Sequence, residues 1–470
     1  MDPRQHTRRR PAPNGALTRV AVATLPMVLA LACTSGVTRD DGTAARRPSI
    51  LLVTLDTTRP DHLSIYDYAR RTTPGLDRLS RDSVVYTRMW SVSSWTLPSH
   101  ASLFTGLFPA AHGAHFDVEG SSGIGGLRAG ALDDRFMTVA ELLGEHGYQT
   151  AAVVGGPWLK RVFGLMQGFA SVDDDVNSLA GRRGDEISDA ALAWLESTSP
   201  DAPVFLFLNY FDPHAPYDPP PGFDDYPRAK EKFRAGLRWN TAVAGKGTFS
   251  KDERQIMIDR YDGEIRAMDH QISRVLEAFL SRPGGETSLV VITGDHGESF
   301  GEGGRWLHNT WLSEEQLRVP LMVRYPDLRR AGERDDSIVQ LPDVFRLIVE
   351  EAGVEVPAGT QGVQPGDRTQ GFAELYRNAA HLKRYGDRFD RDLQAIIEWP
   401  DKLVVSDKGT VDLVRIDGAQ EEPATDASGR TEELDSALQS HHRAIGRSDG
   451  ATPEIDSQTL EELRALGYAD

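Results

Sequence analysis

The chain has 470 residues, 39% hydrophobic and 26% charged, enough apolar content to bury a core, which excludes a disordered or fibrous protein. Seventy acidic residues against 52 basic ones give a formal charge of -18, and no basic patch interrupts the body of the chain, so nucleic acid is not an expected partner. The single cysteine, Cys33, rules out an internal disulfide, a cysteine-rich zinc site and a Cys-x-x-Cys redox pair.

Arg4, Arg8, Arg9, Arg10 and Arg19 face only Asp2 in the first segment, and Val20 to Ala32 then form an apolar run broken by Thr24 and Pro26. This is the pattern of a secretory signal. At about 1.5 Å per residue the run is too short for the ~30 Å of a bilayer core, so a permanent transmembrane helix is not expected. Leu29-Ala30-Leu31-Ala32-Cys33 resembles a bacterial lipobox. Residues 1–32 are therefore expected to be a signal peptide, Cys33 to be lipidated, and residues 33–47 to be a tether. The expected location is outside the cytoplasm, with the protein anchored by lipid to a bacterial membrane on its periplasmic or surface side. A plain cleaved signal peptide with an incidental cysteine is the alternative.

The body begins with Ile50-Leu51-Leu52-Val53-Thr54-Leu55, the near-continuous apolar run of a strand covered on both faces, and Asp56 follows at once. Ser94 to Gly106 reads as a short helix, with Pro98 near its start, Gly106 at its end and Thr96 at its N-terminus, where backbone N–H groups favour an anion. Thr96 as a simple N-cap is the bland alternative. Val139 to His146 and Tyr261 to Leu280 have helical period, and they separate further strands at Thr150 to Val154, Val204 to Leu208 and Leu289 to Thr293. Such alternation predicts a parallel sheet with helices on both faces. Ligands of these sheets bind beyond the carboxyl ends of the strands, where Asp56, Asp212 with His214, and Asp295 with His296 all fall. Each alone has an ordinary explanation as a cap or a satisfied buried histidine; their agreement is the signal.

Other segments carry less. Gly120 to Gly130 reads as a mobile rim, and Pro219 to Ser250 as either a lid over the site or a solvated excursion. Residues 418–457 are acidic and poorly periodic and are expected to be loosely ordered, whereas Leu460 to Tyr468 has the leucine spacing of a helix that docks on the body.

Four separated motifs carry a family resemblance. Asp56-Thr57-Thr58-Arg59-Pro60-Asp61-His62-Leu63 follows the first strand; Thr96-Leu97-Pro98-Ser99-His100 leads to Thr105-Gly106; Asp212-Pro213-His214-Ala215-Pro216 comes next; Gly294-Asp295-His296-Gly297-Glu298 runs on to Arg318-Val319-Pro320-Leu321. In this order they resemble the sulfatase family of the alkaline phosphatase superfamily, over about Ser49 to Asp417. The resemblance implies an α/β, alkaline-phosphatase-like sandwich with a mostly parallel central sheet and helices on both faces. It also implies a small C-terminal antiparallel-sheet subdomain, to which the helix from Leu341 toward Pro357 and the strand-like Ala395 to Ile416 would contribute. The expected division is a catalytic domain over 48–357, that subdomain over 358–417, and an acidic, partly disordered tail with a terminal helix over 418–470.

The resemblance further implies a site in which Asp56, Thr96, Asp295 and His296 hold one divalent metal ion, Thr96 is the nucleophile, and His214 and His308 bind the oxyanion or protonate the leaving group. His100 stands where the family's motif has arginine and is taken as a fourth catalytic group. Histidine among the ligands favours Mn²⁺ or Zn²⁺, with Ca²⁺ possible. A second metal on Asp212, His214 and His308 is an alternative. Sulfatases oxidise a Cys or Ser at the nucleophile position to formylglycine; threonine here means that no formylglycine is expected. Thr57 replaces a second Asp, and Gly155-Gly156-Pro157-Trp158 replaces a Lys-Trp-His element. A threonine ester must be attacked again at its central atom, which phosphorus accepts readily, so phosphoesters, phosphodiesters or phosphonates are the favoured substrates, with transfer to an acceptor possible. Sulfuric ester hydrolysis is the alternative, on a small, lipid-linked or glycan-linked ester, and a non-catalytic surface binding lipoprotein is the alternative of another class.

Overall fold

A computed structural model of the chain describes residues 47–465 except 117–128, 177–180, 234, 419, 426–428 and 454. The expected signal peptide, Cys33 and most of the glycine-rich rim lie outside the described residues.

The strands before residue 341 are β1 (Ile50–Leu55), β2 (Val84–Trp90), β3 (Gln149–Val154), β4 (Ser171–Asp173), β5 (Val204–Tyr210), β6 (Leu289–Gly294), β7 (Ser299–Phe300), β8 (Trp306–Leu307), β9 (Leu321–Arg324) and β10 (Arg334–Gln340). Eight of them form one sheet in the order β10-β2-β9-β6-β1-β5-β3-β4, while β7 pairs with β8. All neighbouring pairs in the large sheet are parallel except the two that β9 makes with β2 and β6. The helices are α1 (Pro74–Leu79), α2 (Thr96–Thr105), α3 (Pro109–His112), α4 (Val139–Glu145), α5 (Gly184–Ser197), α6 (Arg238–Val243), α7 (Lys251–Leu280), α8 (Glu314–Leu317), α9 (Leu341–Glu351), α10 (Ala379–Tyr385), α11 (Arg430–Ile445) and α12 (Ser457–Ala465).

Successive β1 side chains point to opposite faces. Ile50 and Leu52 join a core with residues of α2, α4 and α9, whereas Leu51, Val53 and Leu55 join a second core with α5 and α7. The sheet is therefore covered on both sides, as its unbroken apolar strands require. A separate antiparallel sheet follows, built in chain order from β11 (Gly371–Leu375), β12 (Leu393–Glu398), β13 (Asp401–Ser406), β14 (Val411–Asp417) and β15 (Gln420–Pro423).

Three expectations need correction. α9 packs with the main body, not with the small sheet: Phe345 closes on Gly106, where an added Cβ would lie 2.5 Å from its ring. α7 begins ten residues before the apolar period that announced it, because Ser250 and Glu253 form a capping box at its start. Residues 418–457 are not loosely ordered throughout; they hold β15 and α11, whose Leu434 and Leu438 are fully buried. Two leucines at i, i+4 among charged neighbours suffice to dock that helix, with His441 stacked on Phe372 at 3.6 Å.

The Pro219 to Ser250 segment packs back onto the body. Trp239 of α6 meets Phe249 and Trp306, with ring centroids 4.8 and 6.0 Å apart. Trp306 lies two residues before His308, so this segment braces the loop that carries a predicted site residue.

Candidate active site

β5, β1 and β6 are adjacent in the sheet, so their carboxyl ends discharge Asp212, Asp56 and Asp295 at one edge. The turn after β1 is strained. Thr57, β-branched, has φ 52°, a left-handed conformation that such residues rarely adopt. Tyr261 of α7 holds it: its hydroxyl donates to the Thr57 carbonyl at 2.8 Å and accepts from the Arg59 N–H at 2.9 Å.

Asp56 is buried and both its carboxylate oxygens lack a hydrogen-bond partner. Burial, and after it the charge of Asp295, push its carboxyl well above the usual range. Asp295 accepts the His296 N–H on Oδ1 at 2.8 Å, while its Oδ2 has no partner. Burial pushes its pKa up to about 6, against the pull of His100 and the His296 amide. His296 donates from Nδ1 to the Gly297 carbonyl at 3.0 Å, which leaves the Nε2 lone pair free to point inward. That nitrogen lies 3.4 Å from Asp295 Oδ2 and 3.9 Å from Asp56 Oδ1. Burial pushes His296 down to about 3.

One donor atom from each of Asp56, Asp295 and His296 lies within 4.8 Å of the others. Two carboxylates with orphaned oxygens and one neutral imidazole converge, and a divalent cation would satisfy all three. The residues fit such an ion.

Thr96 is the first residue of α2 and is only 2% exposed; Trp95 occupies the N-cap position. Thr96 is thus not a capping side chain, and its Oγ1 lies 3.1 Å from His296 Nε2. The structure brings Thr96, Asp56, Asp295 and His296 together.

His100 stands differently from the expectation. It is fully buried, its Nδ1 donates to the Thr96 carbonyl at 2.9 Å, and its Nε2 accepts from Thr54 Oγ1 at 2.9 Å. Both ring nitrogens are occupied, so His100 braces the first turn of α2 from behind and has no atom left for a substrate. Position 100 follows Thr96 by one turn on the same face of α2, and its Nδ1 also lies 3.7 Å from Asp295 Oδ2.

His214 and His308 line up with His296. The His308 ring lies 4.5 Å from that of His296 and 5.0 Å from that of His214, which stacks on Phe211 at 4.3 Å. His308 Nδ1 faces Glu298 Oε1 at 3.2 Å. Asp212 does not join them: its Oδ2 accepts the Gly184 N–H of α5 at 2.8 Å. Among the described residues Asp212, His214 and His308 form no metal-ligating group, so the second-metal alternative is not assembled.

Sequence reasoning passed over three buried polar residues. Asn209, inside the apolar run of β5, accepts the Gly155 and Gly156 N–H groups on Oδ1 and donates to Thr54 Oγ1 at 3.2 Å. Thr54 interrupts β1 in the same way. Glu298 is buried beside Tyr217 and His308, and burial pushes its pKa up to about 7. For Asn209 and Thr54 the available signal was a polar residue inside an otherwise apolar strand, a costly placement unless the group is used; for Glu298, in the loop between β6 and β7, it was the residue's place in the Gly294 to Glu298 motif.

Comparison with known proteins bears on this arrangement. The family model for Sulfatase matches residues 48–354. The chain is 24% identical over 437 residues to an N-acetylglucosamine-6-O-sulfatase of Bacteroides thetaiotaomicron, covering 72% of this chain and 74% of the relative. Among solved structures, a protein in complex with its substrate D-glucosamine-2-N,6-O-disulfate superposes with a TM-score of 0.68 at 19% identity, over 85% of this chain and 98% of that one. The phosphonate monoester hydrolase of Agrobacterium radiobacter superposes with a TM-score of 0.65 at 20% identity, over 85% and 95%. At these identities the structural likenesses establish the fold alone.

Proposed function

Because the chain belongs to the sulfatase family, we propose that it is a metal-dependent hydrolase of oxyanion esters, with a glycan-linked sulfuric ester as the first substrate class. The observation that carries the reading is the Thr96 hydroxyl, 3.1 Å from His296 Nε2 at a cluster whose Asp56 oxygens are unpartnered. Asp56, Asp295 and His296 would hold the metal, with Thr96 Oγ1 beside them. Bound there, a divalent cation supplies positive charge that favours an ionised hydroxyl and an anionic ester. Mn²⁺ or Zn²⁺ suits the mixed oxygen and nitrogen donors better than Ca²⁺.

The remaining roles fall to this chain's own groups. Thr96 Oγ1, ionised, attacks the central atom as the alcohol leaves, and water attacking that atom in turn frees the anion and restores the threonine hydroxyl. Burial pushes His308 down to about 3 and Glu298 up to about 7, so a protonated Glu298 donating to His308 Nδ1 at 3.2 Å leaves the Nε2–H of a neutral ring to donate a hydrogen bond to the leaving oxygen. His214 faces the oxyanion from the far side of His308. His100 holds the Thr96 backbone. The sulfate preference rests on the relatives, which include an N-acetylglucosamine-6-O-sulfatase and an arylsulfatase of Clostridium perfringens.

A second reading rests on one observation, the threonine itself. Its single hydroxyl offers no second oxygen through which to expel sulfate, whereas a phosphorus ester accepts a second in-line attack. Phosphonate or phosphate esters are then the substrates, and likeness to the fold of a phosphonate monoester hydrolase accords with this.

The test is turnover of 4-nitrophenyl sulfate, phosphate, phosphodiester and phosphonate by protein stripped of metal and reloaded with Mn²⁺, Zn²⁺ or Ca²⁺. Thr96→Ala is expected to lower kcat by about 10³-fold or more. Unchanged turnover in that variant removes the nucleophile. Sulfate turnover above every phosphorus ester supports the first reading, the reverse order supports the second, and metal binding without any turnover favours a binding protein.

A further inference from the structure

The chain's overall acidity hides one exception to the expectation that no basic patch interrupts its body. Residues 226–251, within the segment that braces the His308 loop, hold seven lysines and arginines against Glu231 alone, in a chain whose formal charge is -18. The segment is held by its apolar side. Phe233 and Trp239 pack on Phe249 with ring centroids 5.6 and 4.8 Å apart, and Ala235, Ala242 and Val243 are buried. Its charges are left outside: Lys230, Lys232, Arg238, Lys246 and Lys251 are all exposed.

These charges gather at the start of α7. Arg228 reaches Asp252 at 3.0 Å, and Arg238 donates from Nη2 to Glu253 at 3.0 Å, so two separate points of the segment meet neighbouring positions of one helical turn, next to Lys251. Those pairs occupy both acids of the turn. Lys232, Lys246 and Lys251 make no ion pair among the described residues, and Lys230 lies 3.8 Å from Asp224. α10 adds Arg384, exposed, whose Nε donates to Asn240 of α6 at 3.1 Å. A positive surface therefore persists after the local acids are counted.

Leu237 stands among these charges. It is 83% exposed, more than any other large apolar side chain among the described residues. It occupies the N-cap position of α6 and makes no capping hydrogen bond there, so it neither fills the core nor satisfies the helix start. Lysines around a leucine held in water match a partner that is anionic at its surface and apolar beneath. A soluble polyanion would match the lysines and leave the leucine without a use.

We propose that residues 228–251 form a docking surface for an anionic lipid bilayer, with Lys230, Lys232 and Lys246 against the headgroups and Leu237 inserted below them. The long lysine stems suit this, since their methylenes can lie along apolar surface while the ammonium stays at the headgroups. Docking would hold the segment that braces the His308 loop at the lipid surface. The inference needs neither the ester chemistry nor lipidation at Cys33, because the surface binds through its own residues.

Residues 46–470 form a compact unit of their own, and that piece carries neither the apolar run before Cys33 nor Cys33 itself. The test is its co-sedimentation with vesicles of phosphatidylcholine alone and of phosphatidylcholine and phosphatidylglycerol in equal parts. Partitioning onto the anionic vesicles is expected to exceed that onto the neutral ones by about tenfold or more and to fall as salt is raised. Replacing Lys230, Lys232 and Lys246 together by Gln is expected to lower it by about tenfold or more, and Leu237→Ser by about threefold or more. Both variants should melt with wild type, since none of these side chains is buried. Equal partitioning of wild type onto the two kinds of vesicle, or a lysine variant that partitions like wild type, overturns the docking surface. Wild-type binding by Leu237→Ser overturns the insertion. Retention on immobilised heparin without binding to vesicles would make this a surface for a soluble polyanion and overturn the lipid assignment.

Discussion

The Asp56 carboxylate faces Asp295, and the Asn209 amide beside it offsets only part of the cost of its burial, so without a cation it works against the fold. Asp56→Asn removes that charge together with a metal ligand. The expected outcome is a crossing of melting temperatures. In excess chelator the variant melts above wild type; with Mn²⁺ or Zn²⁺ in excess wild type melts above the variant, because binding stabilises only the chain that keeps the ligand. Scanning fluorimetry in both conditions measures it, and the same order in each would count against Asp56 as a ligand. At this scale the sequence was informative where a polar residue followed an apolar strand, as with Asp56 and Asp295. At His100 motif position suggested a group facing the substrate, whereas both ring nitrogens are bonded to Thr96 and Thr54 within the protein.

Elements meet through buried polar contacts whose cost depends on pH. The start of α1 docks on α7 through Asp269, which accepts the Gly75 and Leu76 N–H groups at 2.7 and 2.8 Å. Burial outweighs those two bonds and pushes its pKa up to about 7 from 3.8. A folded pKa above the unfolded one means that the carboxyl's contribution is fully present below about pH 4 and is lost as pH rises through 7. Asp269→Asn does not ionise. Wild type is therefore expected to lose stability relative to the variant between pH 5 and pH 8, read as the difference in urea midpoint; a difference independent of pH would refute it. Apolar runs announced β1, β3, β5 and β6, since both faces of those strands are covered. They could not announce that β9 runs antiparallel to β6 and β2, nor that α11 docks on two leucines.

The whole chain is strongly acidic and has one cysteine. Export and lipidation at Cys33 remain our proposal for where it works, motivated by the arginine-rich start and the apolar run before that residue. Expressed in a bacterium that processes lipoproteins, the wild-type chain is expected to incorporate an alkynyl palmitate label, and Cys33→Ser to incorporate none. Equal labelling, or a mature N-terminus other than residue 33 by mass, would leave only a plain signal peptide. The two sheets also depend on one another: Lys402 of β13 is fully buried, and its ammonium bonds to Glu314 at 3.0 Å beside the Trp90 indole that ends β2. The small sheet is tied to the large one by a paired internal charge, which holds their relation firmly once both are folded.

The tyrosine clamp on the turn after β1 sets an order of events. Asp56 enters the chain early, but the hydroxyl that braces Thr57 belongs to residue 261, and the other two candidate ligands are residues 295 and 296. A nascent chain that stops short of α7 has one ligand and an unbraced turn, and one that stops short of β6 has the brace but still one ligand. Ion capture therefore comes after the central sheet has closed, and a chain threaded unfolded through an export channel would acquire its metal on the far side.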